Sequence, residues 1–281
     1  MNLQPDDGKN LDFSGRFDGR HRRILACGEE RPLLYNALVR WLDETMDGVR
    51  VMRPAETPPG LVVAFSGRGH APEGEPTPTP FLARRLADAL SLDGTRIHWA
   101  KQVHGVAALT VRADGRAPRE ICAGEGDALA TDRAGEALAV QTADCVPILL
   151  SGARAVGAAH AGWRGTAKNV AAAAVSALRA LGEDPAGLRA WIGPSIGSCC
   201  YEVGGEVAAQ FAGEFVRAGC GGGFRLDLRA VNVAQLAEAS VPRDAISVHP
   251  ACTRCAGQDY ASWRRDGAKA GRMIALVARR A

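Results

Sequence analysis

The chain has 281 residues, 47% of them apolar and 23% charged, an ordinary balance for a globular protein with a real core, which excludes disorder as its organising principle. A net charge of +3, with no basic run interleaved with aromatics, argues against nucleic acid as the partner. There is no run of about 18 apolar residues to suggest a membrane span. The start MNLQPDDGKNLDFSGRFDGRHRR lacks the apolar core of a secretory signal, so a cytoplasmic protein is expected, its eight cysteines free or metal-bound.

In chain order, residues 1–20 read as a flexible leader. The spacing of Leu33, Leu34, Ala37, Leu38, Trp41 and Leu42 predicts a helix over 32–46, with Pro32 suited to its first turn. A strand is expected over 60–66. The segment APEGEPTPTP at 71–80 carries four prolines and is expected to be an irregular connection before a helix over 81–92. Residues 97–104 alternate like a strand, 122–126 read as a Gly-rich turn, and DALATD at 127–132 as a short extended segment. Two strands follow on either side of a break at 151–154. A helix is then predicted over 166–181, with Thr166 as its N-cap and Gly182 as its terminator. The chain continues as a short strand at 191–192, the turn GPSIGSCCYEVG, helices over 206–218 and 231–239, and a strand with a Cys-bearing loop, SVHPACTRCAG. There is no internal repeat, no GxGxxG opening a helix after a strand, and no Walker A sequence. Strands and helices alternate irregularly, which predicts an α/β (α+β) fold of mixed β-sheets packed as a sandwich flanked by helices.

The chemistry concentrates between 137 and 170. A tight turn centred on Gly152 and Ala153 would put Cys145 directly opposite His160, on one face of an antiparallel pair. A thiolate beside an imidazole suits either a zinc or copper site or a Cys/His nucleophilic pair. A third ligand would make a catalytic zinc centre with one open position. His104, at the end of a predicted strand and followed by Gly105, is the preferred candidate, and His98 shares its strand face. Arg164 and Lys168 flank a predicted helix start and are expected to bind phosphate or an oxyanion. Asp127 and Asp144 are the neighbouring acids, expected to orient a metal-bound histidine or to act as general acid or base. His249 with Cys252 and Cys255 forms a competing site. Cys199 and Cys200 read as buried thiols, because adjacent side chains diverge along a strand.

Several long motifs occur in one order: KQVHG at 101–105, GDALATD at 126–132, TADCVPILL at 142–150, AAHAGWRGT at 158–166, GPSIGSCCYEVG at 193–204, and SWRRDG with GR at 262–272. On these the chain resembles the laccase-domain or multicopper polyphenol oxidase family, now associated with purine nucleoside phosphorylase activity. The resemblance assigns zinc-ligand roles to His104, Cys145 and His160. It implies a fold shared with cysteine-dependent toxin deamidases, with one catalytic domain over 21–281 whose family-like core is 96–281. It further implies phosphorolysis of adenosine, inosine, guanosine and methylthioadenosine, and deamination of adenosine. The N-terminal part, 21–95, departs from the family pattern: SGRGH at 66–70 and ARR at 83–85 stand where other residues are usual. Arg68 is retained as a substrate-binding candidate.

The resemblance leaves other functions to weigh. A metal-free Cys/His hydrolase or amidase acting on a peptidoglycan precursor is one, and a zinc-binding interaction module is another. A copper oxidase fits less well, since six histidines without an H-x-H pair are few for a multicopper centre. The expected partners are small molecules, a purine nucleoside and phosphate, with the chain a monomer or homodimer.

Overall fold

A strand buried on both faces reads as an unbroken apolar run, and three such runs, ALAVQT, VPILL and MIALVA, build the centre of this molecule. The computed structural model describes residues 39–71, 78–111, 119–219 and 222–281. The expected leader at 1–20 and the first part of the helix expected from Pro32 lie outside the described residues.

Strands β1 (Trp41–Met46), β2 (Val49–Pro54), β3 (Leu61–Ser66) and β4 (Arg96–Lys101) are followed by β5 (Ala108–Thr110), β6 (Glu120–Glu125), β7 (Ala128–Thr131) and β8 (Glu136–Thr142). Then come β9 (Val146–Ser151), β10 (Val156–Ala161), β11 (Arg189–Ile192), β12 (Glu202–Val203), β13 (Val216–Ala218), β14 (Phe224–Leu226), β15 (Ile246–Val248) and β16 (Met273–Arg279). They form three mixed or antiparallel sheets, ordered β1-β2-β3-β16-β8-β4-β6, β15-β11-β9-β10-β7-β5 and β12-β14-β13. Helices are few: α1 (Pro78–Ala89), α2 (Trp163–Ala167), α3 (Val170–Ala180), α4 (Gly205–Ala208), α5 (Leu228–Glu238) and α6 (Trp263–Asp266).

Side-chain alternation sorts these elements into layers. Leu138, Val140, Leu149, Ala158, Trp191, Met273 and Ala275 meet between the two large sheets. Ala137, Ala139 and Leu276 point the other way, onto Leu82 and Leu86 of α1. Ile148, Leu150 and Ala159 pack on Val175 and Leu178 of α3 and Leu236 of α5. The result is the expected sandwich flanked by helices. Among the described residues no helix is long and apolar enough to cross a membrane.

Local expectations differ in five places, the first being that α1 begins at Pro78, inside the segment expected to be irregular through residue 80. The helix expected to reach Met46 is replaced by β1, which turns into β2 through Asp47 and Gly48, both at positive φ (47° and 73°) with Met46 paired to Val49. An Asp-Gly pair is the usual signal for a two-residue hairpin turn, and here it outweighs helical spacing. Residues 122–125 belong to β6 rather than to a turn, in parallel with β4. The helix expected over 206–218 breaks after α4, and 216–218 pairs with β14.

The helix expected over 166–181 is two helices. Asn169, at φ 66°, separates them and caps α3 by accepting from the Ala172 amide, while Thr166 is buried inside α2. Gly182, at φ 89°, terminates α3 as expected.

Candidate metal centre and adjoining cleft

The β9–β10 hairpin brings Cys145 and His160 together, in a register that differs from the expected one. Its turn centres on Ala153 and Arg154, closed by the Gly152 amide donating to the Ala155 carbonyl at 2.9 Å. His160 therefore pairs with Pro147, and Cys145 lies two residues before that position. A shift of two residues preserves the face, because side chains alternate with a period of two. Both side chains remain on the side of the sheet that carries Leu149 and Ala158. The turn is moved by Glu183, whose carboxylate accepts from the amides of Ala153, Arg154 and Ala155 at 2.6–2.8 Å.

His104 joins them from the loop after β4, where it takes a positive φ of 58°. Its Nε2 lies 3.9 Å from Cys145 Sγ, and its ring meets His160 edge-on at 4.7 Å. One donor atom from each of the three lies within 4.8 Å of the others. Gly162 allows this approach, since a Cβ there would sit 2.6 Å from His104 Cδ2 and 3.2 Å from Cys145 Sγ.

Asp127 organises the centre from behind. Its buried carboxylate accepts from the amides of Val103, His104 and Gly105 and from His160 Nδ1 at 2.8 Å. Burial opposes its charge, but these donors outweigh burial and hold it below the usual carboxylate range. With Nδ1 committed to Asp127, His160 Nε2 is left for the centre. Burial raises the Cys145 thiol, yet His160 and His104 overcome it and bring the pKa down to about 6. Burial likewise lowers His160, but the Cys145 thiolate and Asp127 lift it to about 9. The three donors fit a divalent ion: on a tetrahedral ion with Zn–N near 2.0 Å and Zn–S near 2.3 Å, donor atoms lie about 3.5 Å apart.

A cleft of about 400 Å³ is lined among others by Trp163, Tyr201, Glu202, Glu206 and Arg264, the last tied by its amide to Asp144, the residue before Cys145. Arg264 stacks on Tyr201 at 5.1 Å and Arg164 on Trp163 at 4.2 Å. Burial and the neighbouring Cys145 thiolate push Tyr201 up to about 12, so its phenol keeps its proton. Sequence reasoning did not single out Tyr201, Trp163, Glu202, Glu206 or Arg264 as site residues, although YEVG and SWRRDG were noted as motifs.

The remaining candidates separate. Arg164 and Lys168 are both exposed, on and just after α2. Asp144 is buried, at φ 87°, and its carboxylate accepts from the Thr253 hydroxyl at 2.6 Å and the Arg264 amide at 2.7 Å, tying loops together. Arg68 donates to His70, Gln258 and the Lys269 carbonyl and pairs with Asp266 at 3.2 Å, a set that includes no residue of the centre. His98 is buried against Glu136 at 2.7 Å.

The competing His249 site is not assembled. Burial and Arg229 push His249 down to about 4, and the ring packs on Trp41 at 4.9 Å while accepting from the Ala251 amide. Cys252 and Cys255 instead meet Cys199 and Cys200, with all four sulfurs within 4.8 Å of one another. Cys199 is exposed and Cys200 half-buried, against the expectation of two buried thiols.

A family model described as multi-copper polyphenol oxidoreductase laccase matches residues 82–280. The chain is 38% identical over 213 residues to a purine nucleoside phosphorylase of Deinococcus radiodurans, covering 72% of this chain and 78% of that one. It is 39% identical over 163 residues to adenosine deaminase RL5 of an unknown prokaryotic organism, covering 55% and 62%. The crystal structure of YlmD from Geobacillus stearothermophilus superposes with a TM-score of 0.73 at 31% identity, covering 89% of this chain and all (100%) of that one.

Proposed function

We propose, from the premise that this chain belongs to the multi-copper polyphenol oxidoreductase laccase family, that it is a metal-dependent purine nucleoside phosphorylase that also deaminates adenosine. The observation that carries this reading is the His104, Cys145 and His160 constellation, oriented by Asp127, with a cleft lined by Trp163, Tyr201, Arg264 and two glutamates formed by the neighbouring chain segments. The activities for which the relatives are named, purine nucleoside phosphorolysis and adenosine deamination, both act on a purine nucleoside.

A bound zinc ion supplies a Lewis acid that acidifies water and polarises a substrate atom. The chain's own residues do the rest. Trp163 and Tyr201 offer ring faces for a purine. Arg164, Arg264 and Lys168 offer positive charge for phosphate, which in phosphorolysis attacks the anomeric carbon while the base departs with the bonding pair. Asp127, engaged by four donors, holds His160 in one tautomer and positions the loop of His104. Asp144 positions Thr253 and Arg264. Of the acids, Glu202 and Glu206 line the cleft and can reach a departing base. The preferred metal is zinc, with copper as the alternative that the donor set also accommodates. The setting proposed is cytoplasmic, with a nucleoside and phosphate as the small-molecule partners.

Steady-state turnover of adenosine with and without phosphate tests this. Adenine and ribose 1-phosphate should form only when phosphate is added, and inosine with or without it. The Cys145→Ala protein, folded by circular dichroism, should lose at least about 100-fold in both activities, and full retention would overturn the reading.

A metal-free thiol hydrolase is the second reading, favoured by the Cys145 and His160 pair itself, whose values of about 6 and 9 describe a thiolate beside an imidazolium. It predicts amide hydrolysis unaffected by chelators. Loss of turnover on chelation and recovery with zinc would exclude it.

A further inference from the structure

We propose that Cys199, Cys200, Cys252 and Cys255 hold a second, structural zinc ion, which pins the loop forming the cleft wall to the loop that anchors Asp144. The four sulfurs lie within 4.8 Å of one another, and Cys199 Sγ to Cys255 Sγ is 3.8 Å. Four thiolates at about 2.3 Å from a tetrahedral zinc ion lie about 3.8 Å apart. A disulfide needs about 2.0 Å. The sulfurs are thus spaced as ligands around an ion.

The fold explains why two distant sequence pairs converge. β11 and β15 are parallel neighbours, with Ile192 beside Val248, so the loops that follow them leave the same end of the sheet. A bridge between Ser195 and Cys252 continues the pairing, and the Thr253 amide donates to the Ser195 carbonyl at 3.0 Å. The adjacent Cys199 and Cys200 come from one loop and the Cys252-x-x-Cys255 pair from the other.

Two further observations point to negative charge on these sulfurs. The Gly197 amide donates to Cys252 Sγ at 3.2 Å, the kind of outer contact that supports a metal-bound thiolate. Arg229 is 3% exposed and donates to Ser195, His249, Pro250 and Ala251, with no carboxylate pairing among the described residues. A side chain at Gly197 would meet Cys199 Sγ at 3.2 Å and Arg229 Nη2 at 3.6 Å, so the guanidinium lies next to the cluster. A buried cation needs a compensating charge. A dipositive ion held by four thiolates carries a net charge of about −2 and supplies it.

On binding, each thiol gives up its proton and no electron is transferred. The site is closed, with four protein ligands and no open position, as structural zinc requires. It bears on the cleft through the chain itself. Tyr201 and Glu202 follow Cys200 directly, and Thr253, which holds Asp144, follows Cys252.

The test removes the first centre with His104→Ala/Cys145→Ala and measures metal in the full-length chain. The parent should hold two zinc ions per chain and the double variant one. Cobalt exchanged into the double variant should give the charge-transfer intensity of four thiolates. Adding Cys199→Ser and Cys255→Ser should weaken zinc retention against a chelator by more than about 100-fold, beyond the range of an outer-contact change. If that variant does not fold, alkylation of the double variant decides: zinc should protect these four thiols while exposed Cys122 reacts. A folded double variant that holds no zinc, holds iron instead, or shows Cys199–Cys255 or Cys200–Cys252 disulfides by mass spectrometry would overturn the proposal. Loss of zinc from the parent's first centre alone would leave it standing.

Discussion

Cys145 has two fates that its sequence position does not separate, metal ligand or nucleophile, and the protonation of its neighbours makes the choice measurable. Without metal, thiol and imidazole share a proton unevenly, at about 6 for Cys145 and about 9 for His160. The thiolate fraction rises with pH, so alkylation of Cys145 in metal-stripped protein should reach half its maximal rate near pH 6, well below the ordinary thiol value of about 8.5. Zinc should suppress the reaction. The stability linkage nearly cancels between about 6.5 and 9: the lowered thiol adds stability as pH rises, and the raised imidazole removes it. Below that window the thiolate's contribution is lost while the imidazolium's remains, and above it the imidazolium's is lost while the thiolate's remains. Asp127→Asn should weaken zinc binding about 10–100-fold in chelator competition while the fold is retained, because Asp127 sets the tautomer of His160. Residue types and spacing made His104, Cys145 and His160 legible as candidates. They did not show that Asp127 spends its oxygens on three amides and a ring nitrogen, since that depends on a loop wrapping round it.

The β9–β10 hairpin shows what a single element owes to the rest of the fold. Its apolar flanks and the Gly-containing break were enough to predict a tight turn, and the preserved parity kept Cys145 and His160 on one face. The register was decided by Glu183, which lies after α3 and satisfies three turn amides at once. Glu183→Ala should lower stability by about 1–3 kcal/mol in thermal denaturation, the cost of leaving the buried Ala155 amide without its acceptor and freeing the amides of Ala153 and Arg154. The carboxylate is held below its usual value: burial opposes this, but the amides of Ala155, Arg154 and Ala153 outweigh it. Its contribution is therefore present above the unfolded carboxylate range and lost as pH falls through the lower folded value. The β1–β2 hairpin carries a local signal in Asp47-Gly48, and in the fold that turn prevails over the helical spacing of the apolar residues before it. Asn169 is a comparable case, since its left-handed backbone splits one periodic run into two helices.

At the scale of the molecule, two large sheets bury one another and each buries a helix layer on its outer face. Leu149 is fully buried between the sheets, while its neighbours Ile148 and Leu150 point at the helices. Leu149→Ala should destabilise by about 2–5 kcal/mol in denaturant unfolding, through lost transfer energy and a cavity that the facing sheet cannot fill. The same packing fixes the site. The loops after β4, before β7 and before β9 meet the end of β10 at one end of the second sheet, and the loops after β11 and β15 leave that sheet side by side. The four-cysteine cluster follows from the latter adjacency. Cys199-Cys200 and the Cys252-x-x-Cys255 pair are each weak signals alone, and no spacing rule relates segments that far apart.

Local patterns in the sequence determined a mixed α/β sandwich and the apolar strands at its centre, and they offered His104, Cys145 and His160 as candidates, because short-range periodicity and donor chemistry are written in neighbouring residues. Tertiary structure alone decided the hairpin register, the hydrogen-bond partners of Asp127 and Asp144, the partners of Arg68, the packing of His249 on Trp41, and the meeting of four thiols. Each of these depends on which distant segment supplies a hydrogen-bond partner, and the physical cause is the same throughout. Buried polar groups must be satisfied, and their partners come from wherever packing brings the chain.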